Sequence, residues 1–185
     1  MHVRSAPLPG VKLLEPHRFE DARGYFYEST SPAVMQALGC STPFVQDNVS
    51  GSRQGVLRGL HYQLEPLAQG KLVRVMRGRV LDAVVDLRRA SPTFGHSYVT
   101  ELSESNRTHL WVPPGLAHGF CVLSEFAEVL YSVTQPYSPP HERTLRWDDP
   151  ELAIGWPTPP AGGFLLSDKD RAGVALRDAE INFTR

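Results

Sequence analysis

The sequence has few cysteines, almost no net charge and no long apolar run. Only two cysteines occur among 185 residues, Cys40 and Cys121, and we interpret them as free thiols of a reducing compartment rather than as a disulfide or a metal pair. No apolar stretch approaches the ~18 residues that suggest a membrane span, and the first ten residues lack the apolar segment of a signal peptide. These absences predict a cytoplasmic protein.

The charge balance argues against two classes of partner. A formal net charge of −1 removes any global electrostatic reason to expect a nucleic acid or an anionic membrane as partner. The content of 41% hydrophobic and 21% charged residues is that of a globular protein. The 15 glycines and 16 prolines are spread along the chain rather than concentrated in a linker. We therefore expect one domain over residues 1–185, built of many short elements.

The middle of the chain is rich in β-branched residues and predicts strands. Two such runs, 72–77 and 80–87, flank Arg77-Gly78-Arg79, a sequence that suits a hairpin turn. Further strands are expected at 97–102, 109–112, 118–123 and 127–135. Short strands at this spacing, separated by turn signals, indicate an all-β sandwich or barrel.

Two short helices are expected outside the strands. Ser31 is a suitable N-cap, and Gly39 is placed to end the helix that follows it. Near the C-terminus, Ser167 and Asp170 form an acidic variant of a capping box, which predicts a second helix over residues 168–179. On this interpretation Asp170 only satisfies the start of that helix.

Two glycine-interrupted apolar runs each lead to a histidine. The first, residues 55–63, contains Arg58 and His61, and Lys71 follows ten residues after His61; the second leads to His118. Histidine exchanges protons near neutral pH. Histidines and fixed cations inside an apolar barrel would therefore suit proton transfer on an anionic substrate. The alternative is a surface arginine beside a buried structural histidine.

Strand geometry decides whether Arg58 and His61 can line the same pocket. Strict alternation places Arg58 and His61 on opposite faces of a flat strand. If both line one pocket, the strand must bend or bulge, and Gly59 permits this. Tyr131 and Tyr137 have the same parity and face one cavity if their strand continues that far. Tyr131 is then a candidate proton donor, although an aromatic core pair is the alternative.

A metal site is not expected. The run before His118 resembles the second half-motif of cupin barrels. In metal-binding cupins the first half-motif supplies two histidines one residue apart and then a glutamate, whereas this chain has His61-Tyr62-Gln63 at that place. A stable site usually needs three protein ligands, so we predict none.

Seven segments, in order along the chain, closely resemble the dTDP-4-dehydrorhamnose 3,5-epimerase family. They read DARGYFYE (21–28), FVQDNVSGSRQGVLRGLHYQ (44–63), QGKLVRVMRGRVLDAVVDLRRASPTFG (69–95), VPPGLAHGFCVLS (112–124), YSVTQPYSPPHE (131–142), RWDDPELAIGWP (146–157) and LSDKD (166–170). The resemblance implies an all-β, cupin-type jelly roll with a few short peripheral helices. It also implies a homodimer, no metal and no cofactor. The implied substrate is dTDP-4-dehydro-6-deoxyglucose.

The resemblance also implies residue roles by motif position. His61 resembles the general base, Asp170 its carboxylate partner, Tyr131 the general acid and Lys71 a catalytic cation at the ketone. Tyr137 resembles the residue that stacks on thymine. The complete set of implied substrate contacts is Arg23, Glu28, Gln46, Asp47, Asn48, Arg58, Lys71, His118, Tyr137, Glu142 and Lys169.

The implied substrate carries a ketone at C4, so the hydrogens on C3 and C5 are both alpha to it. Removal of either hydrogen gives an enolate, and inversion needs a base on one face of the ring and an acid on the other. The sequence leaves three alternative functions. They are a mono-epimerase that inverts only C3 or only C5, a sugar 3,4-ketoisomerase, and a non-catalytic barrel that binds sugar nucleotides.

Overall fold

A computed structural model describes residues 1–184. The strands are β1 (His2–Ser5), β2 (Lys12–Glu15), β3 (Arg18–Asp21), β4 (Gly24–Tyr27), β5 (Gln46–Arg53), β6 (Leu57–Gln63), β7 (Lys71–Arg77), β8 (Arg79–Asp86), β9 (Ser97–Ser103), β10 (His109–Val112), β11 (Leu116–Val122), β12 (Phe126–Val133) and β13 (Glu142–Thr144). One sheet has the order β1-β2-β10-β7-β12-β5, and a second has the order β13-β6-β11-β8-β9. Strands β3 and β4 form a separate two-stranded ribbon. The two larger sheets, antiparallel throughout, confirm the predicted all-β jelly roll.

The predicted hairpin at residues 77–79 is wrong. Strand β7 pairs with β10 and β12, whereas β8 pairs with β11 and β9, so the chain crosses from one sheet to the other at Gly78. Val73 of β7 and Val84 of β8 belong to one buried apolar cluster between the sheets. When the two strands lie in facing sheets, the apolar faces that carry Val73 and Val84 are both buried between the sheets. This burial explains why the crossing is favoured over a hairpin.

Strand β8 is buried on both faces. Val80 and Val84 join the cluster between the sheets. Ala83 and Val85, on the alternate face, join a second cluster on the outside of the five-stranded sheet. The C-terminal part of the chain covers that cluster, since Phe183 is among its buried members. The alternation of this strand therefore separates two cores.

The first predicted helix is confirmed as α1 (Pro32–Leu38). Ser31 Oγ accepts a hydrogen bond from Val34 N at 3.3 Å, and Gly39 ends the helix with φ +74°. Both are the capping devices that the sequence indicated.

The second helix is much shorter than predicted. It is α2 (Asp168–Arg171), and a separate 3₁₀ turn covers Leu176–Asp178. Between them Val174 forms a β-bridge with Leu145. A Cβ at Gly173 would lie 2.8 Å from the backbone of Arg146. This close pairing with a distant segment displaces the helical conformation that local propensity favours.

Two expectations concern the whole chain. Cys40 and Cys121 are free thiols in the described residues, and Cys121 is buried. No helix in residues 1–184 has the length and apolar character needed to cross a bilayer. The cytoplasmic location stays a prediction.

Candidate active site

A cavity of about 290 Å³ lies between the two larger sheets. Strands of both sheets and the short helix α2 contribute to its wall. Ten of the residues predicted from the sequence line it, namely Gln46, Asn48, Arg58, His61, Lys71, His118, Tyr131, Tyr137, Glu142 and Lys169. Most of the predicted site is thus assembled in one place.

A bulge in β6 brings Arg58 and His61 to the same cavity. His61 is opposite His118 on β11, and Arg58 is opposite Phe120, so three steps along β6 match two along β11. Gly59 lies within the bulge with φ +120°, and a Cβ there would lie 2.6 Å from the Cα of Gly119. The extra residue in β6 and the missing side chain at Gly59 together allow the bend that brings Arg58 and His61 to one face of the strand.

His61 is held by a buried carboxylate. Its Nε2 lies 2.7 Å from Asp170 Oδ1, and Asp170 also accepts hydrogen bonds from Ser167 Oγ at 2.6 Å and Gly59 N at 3.0 Å. Burial alone would raise the pKa of Asp170, but these hydrogen bonds hold it at about 2. An ionised Asp170 requires the proton on Nε2 of His61, which leaves Nδ1 as the basic nitrogen.

His61 is neutral in its resting state because it is buried, not because of its carboxylate partner. Burial lowers the pKa of His61, and the hydrogen bond to Asp170 offsets part of that effect. Asp170 also bonds the amide of the first residue in the β6 bulge, so one carboxylate fixes both the imidazole and the backbone that carries it. The predicted capping role of Asp170 is also present, because its N–H donates to Ser167 Oγ.

Tyr131 belongs to the opposite sheet. It lies on β12, paired with Val73 of β7 and Asn48 of β5, whereas His61 lies on β6 of the five-stranded sheet. Burial raises the pKa of the Tyr131 phenol, and the nearby charge of Arg58 partly offsets this effect. The phenol therefore carries its proton at neutral pH and can donate it. Base and acid candidates thus face one cavity from two sheets.

Lys71 is a buried cation between the sheets. It begins β7, is only 6% exposed, and its Nζ donates to the carbonyl oxygen of His61 at 3.2 Å. Burial lowers the pKa of Lys71 to about 8, against the opposing effects of Glu142 and Asp82. A poorly hydrated ammonium of this kind interacts strongly with negative charge that develops near it.

One carboxylate joins two other predicted residues. Glu142 accepts a hydrogen bond from Lys169 Nζ at 2.8 Å through one oxygen and from the Tyr137 hydroxyl at 2.8 Å through the other. Burial would raise the pKa of Glu142, but both partners lower it and the net direction is down. The Tyr137 ring is about half exposed, so an aromatic face remains open to a ligand. The two tyrosines line the cavity although β12 ends at Val133.

Three predicted contacts lie outside this cavity. Asp47 lies on β5 between Gln46 and Asn48, which both line the cavity, so its side chain points to the opposite face of the strand. Its carboxylate accepts a hydrogen bond from Ser132 Oγ. Arg23 lies in the turn of the β3–β4 ribbon and pairs with Asp21, and Glu28 follows β4. All three are exposed, and none lines the cavity.

Sequence reasoning missed Asp82 as part of the site. His118 Nε2 lies 3.0 and 2.9 Å from the two carboxylate oxygens of this fully buried residue on β8. Burial raises the pKa of Asp82, and His118 and Lys71 partly offset this effect. The sequence did carry a signal for Asp82, since it is a carboxylate on the same face as Val80 and Val84 in the alternating run 80–87.

Each of the two cavity histidines has its own carboxylate partner, Asp170 for His61 and Asp82 for His118. Within residues 1–184 no group of three or more histidine, cysteine, aspartate or glutamate side chains is arranged to hold a metal ion. The arrangement fits another class of site. A cupin-type jelly roll that holds a carboxylate-bound histidine, a protonated tyrosine and a buried lysine around one cavity is suited to proton transfer at the carbon atoms of an anionic substrate.

Comparison with known proteins gives the family. Residues 5–178 match the family model described as dTDP-4-dehydrorhamnose 3,5-epimerase. The chain is 53% identical to the dTDP-4-dehydrorhamnose 3,5-epimerase of Pseudomonas aeruginosa over 181 residues, which cover 97% of this chain and 98% of the relative. The chain therefore belongs to the dTDP-4-dehydrorhamnose 3,5-epimerase family of carbohydrate epimerases.

Two solved structures are similar along nearly the whole chain. The dTDP-6-deoxy-D-glucose-3,5-epimerase of Legionella pneumophila, in complex with dTDP-4-keto-L-rhamnose, has a TM-score of 0.92 and 43% identity, covering 97% of this chain and 94% of that one. A 3′-monoepimerase from Streptomyces bikiniensis, in complex with dTDP-quinovose, has a TM-score of 0.86 and 34% identity, covering 93% and 86%. The fold is therefore shared by double and single epimerases.

Proposed function

We propose that this chain, as one jelly-roll domain over residues 1–185, inverts C3 and C5 of dTDP-4-dehydro-6-deoxyglucose to give dTDP-4-dehydrorhamnose. The observation that carries this proposal is the placement of His61 and Tyr131 on opposing sheets around one cavity, which Lys71 also lines. Inversion of a carbon centre needs a proton to leave one face of the ring and another to arrive on the opposite face. Two groups on facing walls meet that need.

The proposed reaction begins at the C4 ketone of the substrate. His61 Nδ1 takes the proton from C3 or C5, the C–H electron pair forms a C=C bond with C4, and the carbonyl electrons move to the oxygen. The Lys71 ammonium stabilises that enolate oxygen. Tyr131 then donates its proton to the carbon from the opposite face as the ketone re-forms. His61 subsequently loses its proton to solvent and Tyr131 regains one.

The rest of the cavity is proposed to hold the nucleotide. Arg58 carries a guanidinium, whose planar donors suit a diphosphate, and Lys169 adds an ammonium. The half-exposed ring of Tyr137 offers a stacking face for the thymine. His118 is proposed to contact the sugar, while Gln46, Asn48 and Glu142 complete the proposed contacts.

A homodimer would explain the contacts that lie outside the cavity. The ribbon β3–β4 carries Arg23 in its turn, is followed by Glu28, and exposes Phe19 at 60% and Phe26 at 70%. We propose that this apolar ribbon packs on a second copy of the chain and brings Arg23 and Glu28 to the mouth of that copy's cavity. Phe26→Asp should convert a dimer to a monomer in light scattering; a wild-type monomer would contradict the proposal.

A mono-epimerase is the second candidate function, because the Streptomyces bikiniensis relative is a 3′-monoepimerase with the same fold. Incubation with dTDP-4-dehydro-6-deoxyglucose in deuterated water separates the candidates. Proton NMR of the product, trapped with a ketoreductase, should show deuterium and inverted configuration at both C3 and C5. Exchange at one carbon only would support the mono-epimerase.

The same assay tests the assignment of the base. His61→Ala should abolish exchange at both carbons, whereas His96→Ala, outside the cavity, serves as a matched histidine control. A His61→Ala enzyme that exchanged at the wild-type rate would remove His61 from the mechanism.

A further inference from the structure

The segment 135–138, between β12 and β13, has no regular secondary structure and carries Tyr137. Gln63, at the end of β6, holds it from both sides of that tyrosine. Its Nε2 donates to Pro136 O at 3.2 Å, and its Oε1 accepts from Ser138 N at 2.8 Å. The second N–H of the amide donates to Leu67 O at 2.7 Å. Every bond joins the side chain to backbone atoms.

Two further glutamines complete the contacts to this segment. Gln69 Nε2 donates to Gln135 O at 2.8 Å, and Gln46 Oε1 accepts from Tyr137 N at 3.1 Å. Each of the four consecutive residues therefore has one backbone group bound to a glutamine side chain. We call the side chains of Gln46, Gln63 and Gln69 the glutamine clamp.

Gln63 is the central member of the clamp because it is only 4% exposed and uses both ends of its amide. A glutamate there would place a carboxylate oxygen against the carbonyls of Leu67 and Pro136, and an apolar residue would leave these groups unpaired. Unpaired buried polar groups are costly. The position therefore requires a neutral group that donates and accepts simultaneously.

We propose that Gln63 is a positioning residue that orients Tyr137 for the nucleotide base. The clamp fixes the backbone of Tyr137, and Glu142 fixes its hydroxyl. These contacts leave the half-exposed ring face for the ligand. The inference rests on the proposed function, because it takes a thymidine nucleotide as the ligand. A ring held in place before binding loses less conformational freedom when the base stacks on it.

A double-mutant cycle tests whether Gln63 acts through Tyr137. Calorimetry should measure dTDP affinity for wild type, Gln63→Met, Tyr137→Ala and the double variant. We expect Gln63→Met to weaken binding by about tenfold, and to add almost nothing in the Tyr137→Ala background. In turnover assays Gln63→Met should raise KM and leave kcat nearly unchanged. Gln54→Met, which removes a glutamine bond to Leu123 O elsewhere, is the matched control.

Amide hydrogen exchange without ligand provides a second, independent measurement. The N–H of Ser138 should exchange faster in Gln63→Met than in wild type, because its acceptor is lost. Unchanged exchange, or an equal loss of affinity in both Tyr137 backgrounds, would overturn the inference. A wild-type chain that binds no dTDP would instead overturn the proposed function, and amide exchange would still decide whether Gln63 positions the segment.

Discussion

Replacing Asp170 by asparagine should disable the base while leaving the cavity nearly intact in size. An asparagine at this position could not present a carboxylate to His61 Nε2, so the imidazole would lose its fixed tautomer. With the proton on Nδ1, the nitrogen needed for deprotonation would be blocked. Loss of an orienting carboxylate of this kind lowers turnover by about 10³–10⁴-fold. Both C3 and C5 exchange should fall together, because one base serves both centres.

The same substitution should lower stability by an amount set by the Asp170 pKa. Folding holds that pKa at about 2 rather than at the ordinary 3.8, which corresponds to about 2 kcal/mol of stabilisation at neutral pH. Because the folded pKa is depressed, this contribution is present above pH 3.8 and is lost as the pH falls towards 2. The difference in unfolding free energy between wild type and Asp170→Asn should therefore shrink over that range.

Two assays check these expectations. Deuterium exchange into the substrate measures the base, and urea unfolding between neutral and acidic pH measures stability. Asp168→Asn, an exposed position in the same helix, is the matched control and should change neither. An Asp170→Asn enzyme that exchanges C3 and C5 within about tenfold of the wild-type rate would refute the reasoning.

Tyr131→Phe should reduce turnover by about 10²–10⁴-fold with dTDP affinity unchanged, because only the proton donor is removed; unaltered turnover and product stereochemistry would exclude Tyr131. Lys71→Met should lower turnover by about 10²–10³-fold yet raise the melting temperature at pH 7. The reason is that burial of the charged ammonium destabilises the fold, which is why burial lowers the Lys71 pKa from 10.5 to about 8. This loss of folding stability is complete below pH 8 and disappears as the pH rises towards 10.5. Wild-type turnover should accordingly fall above pH 8, and a flat profile there would contradict the role of the ammonium. Gly59→Ala should lower the free energy of unfolding by at least about 2 kcal/mol in chemical denaturation, because the new Cβ would lie 2.6 Å from the Cα of Gly119. Gly155→Ala is the control and should be nearly neutral, because a Cβ there would have no atom within 4 Å.

Local patterns were sufficient for several elements of the fold. The cap at Ser31 and the glycine at Gly39 delimit α1 as expected, because capping depends on residues within one turn. The alternation in β8 correctly separated two faces, because strand parity follows from backbone geometry. The requirement for a bulge at Gly59 also followed from parity and is met.

Long-range pairing defeated the local patterns elsewhere. The glycine at 78 suits a hairpin in isolation, yet the chain crosses between sheets there, because β7 and β8 then bury their apolar faces in one cluster between the two sheets. The capping signal at Ser167 is real, but the predicted helix ends at Arg171 because Val174 pairs with Leu145. Leu145 is distant in sequence from Val174, so no local pattern reveals this bridge.

The order of amino acids alone was enough for the residue types of the site, the all-β class and, through ordered motifs, the family. The packed fold was needed to learn that His61 and Tyr131 approach one cavity from different sheets, that Asp82 supports His118, and that Gln63 holds the backbone around Tyr137. The difference is one of range. Caps, turns and parity depend on neighbours a few residues away, whereas sheet assignment and buried hydrogen bonds depend on which distant apolar faces pack together.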